Sequence, residues 1–215
     1  MSETKIQIHS HQLTLLPEKA LWLQEERVLI VSDIHLGKLT HLKKAGVPLP
    51  ATAKNESLQK LEYLILRYLP DRLILLGDLF HSTINSEWDT AAYVFRKWHH
   101  IEKILVAGNH DVLAIEHYVK AGIRIVPDFT FDNLYFTHEP EVHVKPGAYN
   151  IAGHIHPAVR LKGAGKQKLS MPCFVFGKER GLLPAFGYFT GTHIITPEKE
   201  DEIFVIGKGK IFKMI

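Results

Sequence analysis

The sequence predicts an α/β fold, built as a two-sheet sandwich with helices on the outside. Up to about residue 138, short apolar runs alternate with segments whose apolar residues recur every three or four positions, a pattern typical of strands followed by helices. From residue 153 onward, glycines and prolines separate short apolar runs, which favours antiparallel β-strands joined by turns. No internal repeat and no Gly/Ser-rich linker divides the chain, so residues 1–215 are expected to form a single domain.

Composition narrows the class of protein. Apolar residues make up 46% of the chain and charged residues 23%, as in ordinary globular proteins. A net charge of +3 permits nucleic acid as a partner without requiring it. A single cysteine, Cys173, excludes an internal disulfide, and no apolar run approaches the ~20 residues of a membrane-spanning helix. Because the stretch MSETKIQIHSHQ also lacks the apolar core of a signal peptide, we expect a cytoplasmic protein.

Apolar runs place the strands of the first part of the chain. Short strands are expected in IQIHSHQLTLLP and KALWLQ, buried strands in RVLIVSD, RLILLGD and KILVAGNHD, and further strands in IRIVPDFTFDNLYFTH. Four histidines near the predicted elements are expected at the surface: His9, His11, His99 and His100.

Helical periodicity places three helices between these strands. The first is expected from Lys54 to Leu69. The second is expected to begin with Ser86 as its N-cap and to continue through about His100. A short third helix is expected from Val112 to Lys120.

Five apolar strands each end in residues that can bind a metal ion. Ligands bind at the carboxyl ends of the strands in parallel α/β sheets, so these side chains are expected to meet at one edge of the fold. A carboxylate at the end of a buried strand also needs compensation, which a divalent cation supplies. The residues, in chain order, are Asp33 and His35, then Asp78 with His81 three positions later, then Asn109, His110 and Asp111, then His138, and finally His154 and His156.

Each piece of this pattern has a structural alternative. Asp33 is also suited to capping a loop, Asn109 or Asp111 to capping a helix, and His138 to a polar turn. The Gly-His-x-His stretch is more specific, because alternate residues of a strand share a face. The ordered combination of all five strand ends favours a metal site over a purely structural role.

This ordered set resembles the calcineurin-like metallophosphoesterase superfamily, whose pattern is D-x-H, G-D, G-N-H-[DE], H and G-H-x-H. The resemblance implies a four-layer αββα sandwich, with two mixed β-sheets flanked by helices, and a site that holds two metal ions. One departure is the fourth motif, which is often His-Gly and here is Thr137-His138-Glu139-Pro140.

The resemblance also implies a role for each matching residue. His110 would stabilise or protonate the leaving oxygen, and Asp111 would orient His110 by accepting its other N–H. The ligands would be Asp33, His35 and His156 for the first metal, Asn109, His138 and His154 for the second, and Asp78 as the bridge between them.

Two longer stretches, GKLTHLKKAGVPLP and GLLPAFGYFTGT, resemble the bacterial ligase-associated DNA damage response endonucleases (PdeM-like). This resemblance implies a metal-dependent phosphodiesterase that acts on DNA in repair. It also implies an association with a DNA ligase, a helicase and an exonuclease.

Ligand chemistry indicates which metals the site would take. Mixed carboxylate, imidazole and amide ligands suit Mn²⁺, Fe²⁺ or Zn²⁺, of which we expect Mn²⁺. Two such ions ~3.5–4 Å apart can clamp a phosphoryl group and activate water for in-line attack.

Substrate contacts are expected from the irregular loop that follows His35. Lys38, Lys43 and Lys44 would form a basic lip that holds phosphates, with a solvated loop as the alternative. His81 would contact the phosphate or support a ligand, or it is an ordinary loop histidine. Two other functions stay open: hydrolysis of a small nucleotide or pyrophosphate diester, and an inactive scaffold for partner proteins, which the intact ligands and His110 argue against.

Overall fold

Two β-sheets form the centre of the protein, for which a computed structural model describes residues 3–38, 56–81, 83–163 and 167–214. The first sheet has seven strands in chain order, of which β1 to β4 are antiparallel and β4 to β7 parallel. Its strands are β1 Thr4–Ile8, β2 His11–Leu16, β3 Ala20–Leu23, β4 Val28–Ser32, β5 Arg72–Leu76, β6 Glu102–Val106 and β7 Ile123–Val126.

The second sheet has the strand order β14-β11-β12-β13-β10-β9-β8, with the β15–β16 hairpin added through β12. It is mixed, because β10 runs parallel to both β9 and β13, and β11 runs parallel to β14. The expectation of antiparallel strands from residue 153 onward is therefore wrong for the β11–β14 pair, which lies wholly in that part of the chain. The strands are β8 Phe129–Phe131, β9 Leu134–Thr137, β10 Tyr149–Ala152, β11 Pro157–Lys162, β12 Lys168–Phe176, β13 Arg180–Leu182, β14 His193–Ile194, β15 Glu202–Gly207 and β16 Lys210–Lys213.

Three helices occur in the described residues: α1 Glu56–Tyr68, α2 Ser86–Lys97 and α3 Ile115–Lys120. The N-cap of α2 is Asn85 rather than Ser86, because the Asn85 side chain accepts hydrogen bonds from the backbone N–H groups of Glu87 and Trp88. Helix α2 ends before His100 and α3 begins three residues after Val112, so both predicted helices were too long.

The core has separate parts on the two sides of the first sheet. One part, between this sheet and the helices, includes Leu61, Leu75 and Phe95. The other part, between the two sheets, includes Ile30, Ile74 and further apolar side chains from the second sheet, such as Phe136, Ile151 and Phe174. The two mixed sheets and their flanking helices confirm the predicted fold class, and the three described helices all contribute to the core on the first sheet.

His11 is buried rather than at the surface. Its ring nitrogens lie 2.6 Å from Glu26 Oε1 and 3.1 Å from Asn133 Oδ1, so the imidazole joins the first sheet to the β8–β9 turn of the second. Sequence patterning missed this residue because a polar side chain at the start of a strand is usually exposed.

No helix among the described residues is long and apolar enough to span a membrane.

Candidate metal centre

The carboxyl ends of five strands bring the predicted site residues to one edge of the fold. In the first sheet, Ser32 and Leu76 are paired at the ends of β4 and β5, and Leu76 is paired with Val106 at the end of β6. In the second sheet, Thr137 and Ala152 are paired at the ends of β9 and β10. These strands are mostly apolar and buried, and the predicted site residues follow directly after their carboxyl ends.

Left-handed backbone conformations aim many of these side chains. Five predicted ligands have φ between 49° and 63°: Asp33, His35, Asp78, His154 and His156. The side-chain alternation of a strand therefore does not explain why these residues share a direction. A left-handed conformation costs roughly 1–2 kcal/mol for a residue with a Cβ, and such strain is often found at functional sites.

The first predicted ligand set lies around Asp33, whose side chain is fully buried. The imidazole Nε2 of His156 is 3.2 Å from Asp33 Oδ1. One ligand atom from each of Asp33, His35 and His156 can be chosen so that all three lie within 4.8 Å of one another. The Asp33 carboxylate also accepts a hydrogen bond from the His154 backbone N–H, at 3.0 Å, which fixes its position.

The second predicted set lies around His138, which is buried despite its atypical motif. His138 Nε2 is 3.1 Å from Asn109 Oδ1 and 3.1 Å from His154 Nδ1, so the three side chains converge on one point. Ligand atoms of His138, Asp33 and Asp78 also lie within 4.8 Å of one another.

Asp78 lies between the two sets. Its Oδ2 is 3.5 Å from His35 Nε2, and its Oδ1 is 3.5 Å from His138 Nε2, so the two carboxylate oxygens face different sets. The Oδ1 atom also accepts a hydrogen bond of 2.9 Å from the His110 backbone N–H. This is the geometry that a bridging ligand needs, and the bridging role stays a prediction.

Hydrogen bonds at the Nδ1 atoms orient the rings of two of the histidines. His138 Nδ1 lies 3.1 Å from the Leu76 carbonyl oxygen, and His156 Nδ1 lies 3.1 Å from the Gly191 carbonyl oxygen. A carbonyl oxygen can only accept, so each Nδ1 carries a proton, and in the neutral imidazole Nε2 then has the lone pair that a metal ion would bind. Metal-binding histidines are commonly oriented in this way.

The chemistry of the donor set fits divalent metal ions. Both ring nitrogens of His35 are buried, and neither has a hydrogen-bond partner among the described residues. Burial, and then the nearby Lys38 and neighbouring histidines, lower the pKa of His35 to about 2, which keeps its imidazole in the neutral form that binds metals. Asp33 and Asp78 are 0% and 2% exposed, so their charges require compensation that cations would provide.

His81 and His110 lie beside the first set. Their ring centroids are 4.1 Å apart. The ring centroid of His35 lies 5.3 Å from that of His81 and 5.6 Å from that of His110. The structure therefore brings both rings to the site, and His110 is partly exposed to solvent. The catalytic role of His110 and the substrate contact of His81 stay predictions.

Asp111 has a different set of partners from the one expected. Its Oδ1 accepts hydrogen bonds from the backbone N–H groups of Leu79 and Phe80, and its Oδ2 accepts one from Gly108. Among the described hydrogen bonds it has none from the His110 ring. Burial raises the pKa of Asp111, and these backbone bonds oppose the rise. Asp111 thus ties the loop after β5 to the loop after β6 and fixes the backbone that carries Asp78 and His110.

Of the three lysines of the expected basic lip, the structure describes only Lys38. Lys38 is partly buried and close enough to His35 to lower the pKa of the imidazole. Lys43 and Lys44 lie outside the described residues.

Close-packed glycines are site residues that the sequence reasoning missed. A Cβ added to Gly153 would lie 2.5 Å from Asp33 Oδ2, and one added to Gly77 would lie 2.1 Å from His138 Nδ1. Their signal in the sequence is the glycine that directly precedes Asp78 and His154 in the two motifs.

The sheets and the clusters of imidazole and carboxylate groups define a candidate metal-binding site at the carboxyl ends of the strands. A family model described as calcineurin-like phosphoesterase matches residues 26–174, which is more than half of the chain. The chain belongs to this family of metal-dependent phosphoesterases.

Among solved structures, the chain is similar to the nuclease MPE of Pseudomonas putida. The identity is 27% and the TM-score 0.81, with 99% of this chain and 100% of the nuclease covered. It is also similar to YfcE, a phosphoesterase from E. coli, with 13% identity, a TM-score of 0.45, and coverage of 87% and 97%. A protein of unknown function from Aquifex aeolicus has 17% identity, a TM-score of 0.41, and coverage of 60% and 78%. No curated protein sequence gives a significant match.

Proposed function

We propose that this protein is a dinuclear, metal-dependent phosphodiesterase that cleaves DNA as an endonuclease in repair. The observation that carries the dinuclear part is the position of Asp78, whose two oxygens face His35 and His138 at 3.5 Å each. Two ligand sets that meet at one carboxylate are the arrangement of a two-metal phosphoryl-transfer site.

Two bound divalent ions would supply charge neutralisation of the phosphate and activation of water, with Mn²⁺ the proposed metal. Asp33, His35 and His156 would hold one ion, and Asn109, His138 and His154 the other, with Asp78 shared. His110 is proposed to donate a proton to the leaving oxygen, since its ring lies at the site without belonging to either set. Asp111 keeps the two loops in register through its three backbone hydrogen bonds.

DNA is the proposed substrate because the relative with 27% identity over nearly the whole chain is a nuclease. The GKLTHLKKAGVPLP and GLLPAFGYFTGT stretches, which resemble ligase-associated endonucleases, support the same substrate. On that resemblance we also propose an association with a DNA ligase, a helicase and an exonuclease, and on the single cysteine we propose a cytoplasmic location.

The test uses purified protein stripped of metal and then reloaded with Mn²⁺, Fe²⁺, Zn²⁺ or Mg²⁺. Two ions per chain and linearisation of circular single-stranded or plasmid DNA are expected, since only an endonuclease cuts a substrate without ends. Hydrolysis of small nucleotide diesters with no cleavage of DNA would move the substrate to a nucleotide. Metal binding with no turnover of any diester would leave a scaffold and refute the enzyme.

A further inference from the structure

A cavity opens beside the turn between β2 and β3, and the proposed function does not use it. It has a volume of about 310 Å³ and is lined mainly by Lys19, Lys60 and Tyr188, together with Pro17, Glu18, Phe186, Gly187 and Gly209.

The register of the first sheet places this cavity at the same edge as the metal ligands. Strand β3 is antiparallel to β4 and pairs Leu21 with Ile30, so the turn that carries Lys19 lies beside the carboxyl end of β4. Adjacent strands are ~4.8 Å apart, which puts the turn one strand away from the residues that follow Ser32.

One backbone segment forms a wall shared by the cavity and the metal centre. The Phe186 N–H donates to the Ser32 carbonyl oxygen at 2.8 Å, and the Gly187 N–H donates to the Asp33 carbonyl oxygen at 3.1 Å. The same segment continues to Gly191, whose carbonyl oxygen accepts from His156. A ligand in the cavity would therefore lie next to the backbone segment that is hydrogen-bonded to Ser32 and Asp33.

Lys60 is the most unusual residue of the cavity. Its Nζ donates to the Phe186 carbonyl oxygen at 2.5 Å and lies 3.7 Å from the centre of the Phe186 ring. Burial, and then the charge of Lys19, lower the pKa of Lys60 to about 7, while Glu18 opposes the fall. Burial also lowers the pKa of Lys19. Two partly desolvated ammonium groups near one cavity would be stabilised by an anion.

Tyr188 provides an exposed aromatic face next to these lysines. Its side chain is 54% exposed, and its ring centre lies 4.9 Å from Lys60 Nζ. The Tyr188 N–H donates to Ser57 Oγ, which holds the residue against α1. Gly209 adds the Lys208-Gly209-Lys210 turn to the rim. Basic groups that bind phosphates beside an aromatic ring that stacks on bases are typical of sites for single-stranded nucleic acid.

We propose that the cavity of Lys19, Lys60 and Tyr188 binds the phosphate of a nucleotide that flanks the scissile bond in a single-stranded nucleic acid, with the base of that nucleotide on Tyr188. This subsite rests on the proposed function, since it needs a substrate with more than one phosphate. Lys60 and Lys19 supply the charge, and the wall at Phe186 and Gly187 sets the separation from the metals.

The test compares two nitrophenyl esters, one of a mononucleotide and one of a trinucleotide that adds flanking phosphates. For the parent, kcat/KM is expected to be about tenfold or more higher on the trinucleotide, the scale of one charged hydrogen bond. Lys60→Met, Lys19→Gln and Tyr188→Ala should each reduce this ratio. Lys120→Gln is the matched control, because Lys120 is exposed at the end of α3, at the opposite edge of the sheet, and its ratio should equal that of the parent.

A second measurement does not depend on turnover. In the metal-loaded protein, acetylation of Lys60 should slow in the presence of a cleavage-resistant phosphorothioate oligothymidylate and should be unaffected by thymidine monophosphate. A parent that cleaves DNA but shows equal ratios in all variants and no protection of Lys60 would refute the subsite alone. A parent that cleaves no polynucleotide would refute the proposed function and the subsite with it.

Discussion

Gly153→Ala should disrupt the metal centre through a single methyl group. Gly153 follows β10 and precedes His154, and an added Cβ would lie 2.5 Å from Asp33 Oδ2 and 2.7 Å from Ser32 Cβ. Ordinary contacts of a Cβ are 3.4 Å or longer, so the oxygen is about 0.9 Å too close. Gly153 is not among the residues with positive φ, and alanine therefore fits the backbone. The cost comes from the contact alone.

The size of the effect follows from the burial of Asp33. The carboxylate is fully buried and is held by the His154 N–H at 3.0 Å, so relief of the contact shifts it away from this donor. Overpacking of this kind costs about 1–3 kcal/mol. For a chain of this length that corresponds to a fall in Tm of roughly 2–12 °C. Because Asp33 belongs to the first predicted ligand set and not to the second, the affinity for the first metal should fall most.

The assay measures metal content by mass spectrometry after equilibration with Mn²⁺, together with Tm by calorimetry. Gly191→Ala is the matched control, because a Cβ at Gly191 meets nothing within 4 Å and its φ is also not positive. It keeps the carbonyl oxygen that orients His156 and should bind metal like the parent. Two tightly bound ions in Gly153→Ala would show that Asp33 is not held where the ligand sets require it.

Four other changes test separate parts of the reasoning. Asp78→Asn should weaken both metal sites because the shared charge is lost, and metal titration with unchanged affinity at both would exclude the bridge. His110→Ala should keep two metals and lose roughly 10²–10⁴-fold in kcat on a diester with a poor leaving group; full activity would remove His110 from the mechanism. Replacing Lys43 and Lys44 with alanine should flatten the salt dependence of DNA binding by up to about two units of slope, and equal slopes would leave that loop without a role. Burial lowers the pKa of Lys60 to about 7 in the folded protein, whereas a lysine in the unfolded chain has a pKa of 10.5, so the stability of the parent should rise with pH between these values. Lys60→Met should remove this part of the pH dependence. Curves of stability against pH that run parallel for parent and variant in denaturant titrations would contradict the burial of Lys60.

Local chemistry explains why so much of the site could be predicted from the sequence. Each apolar run can be identified as a strand from local sequence, and the polar residue that follows the run then lies at the sheet edge. The convergence of Asp33, Asp78 and Asn109 needed only the parallel order of β4, β5 and β6, which the intervening helical pattern implied. The helix boundaries were less accurate because capping depends on one side chain, as the use of Asn85 rather than Ser86 shows.

Long-range pairing explains what the sequence did not reveal. The partners of Asp111 are backbone groups more than 30 residues away along the chain, apart from Gly108, and no local pattern specifies them. His11 is buried because Glu26 and Asn133 reach it from other elements. The mixed second sheet depends in the same way on which strands become neighbours, and the strand propensity of a segment does not determine its neighbours.

Strain and buried charge at the metal centre have a common origin in the strand ends. Asp33, Asp78 and His154 follow strands that end where the two sheets face each other. Left-handed backbone conformations turn their side chains into the space between the two sheets. The glycines beside them allow the two sheets to approach closely enough for one carboxylate to face both ligand sets. Hydrogen bonds from backbone N–H groups to Asp33 and Asp78 hold the carboxylates in place without neutralising them. The remaining negative charge therefore stays directed at the space between the histidines, where a divalent cation would compensate it.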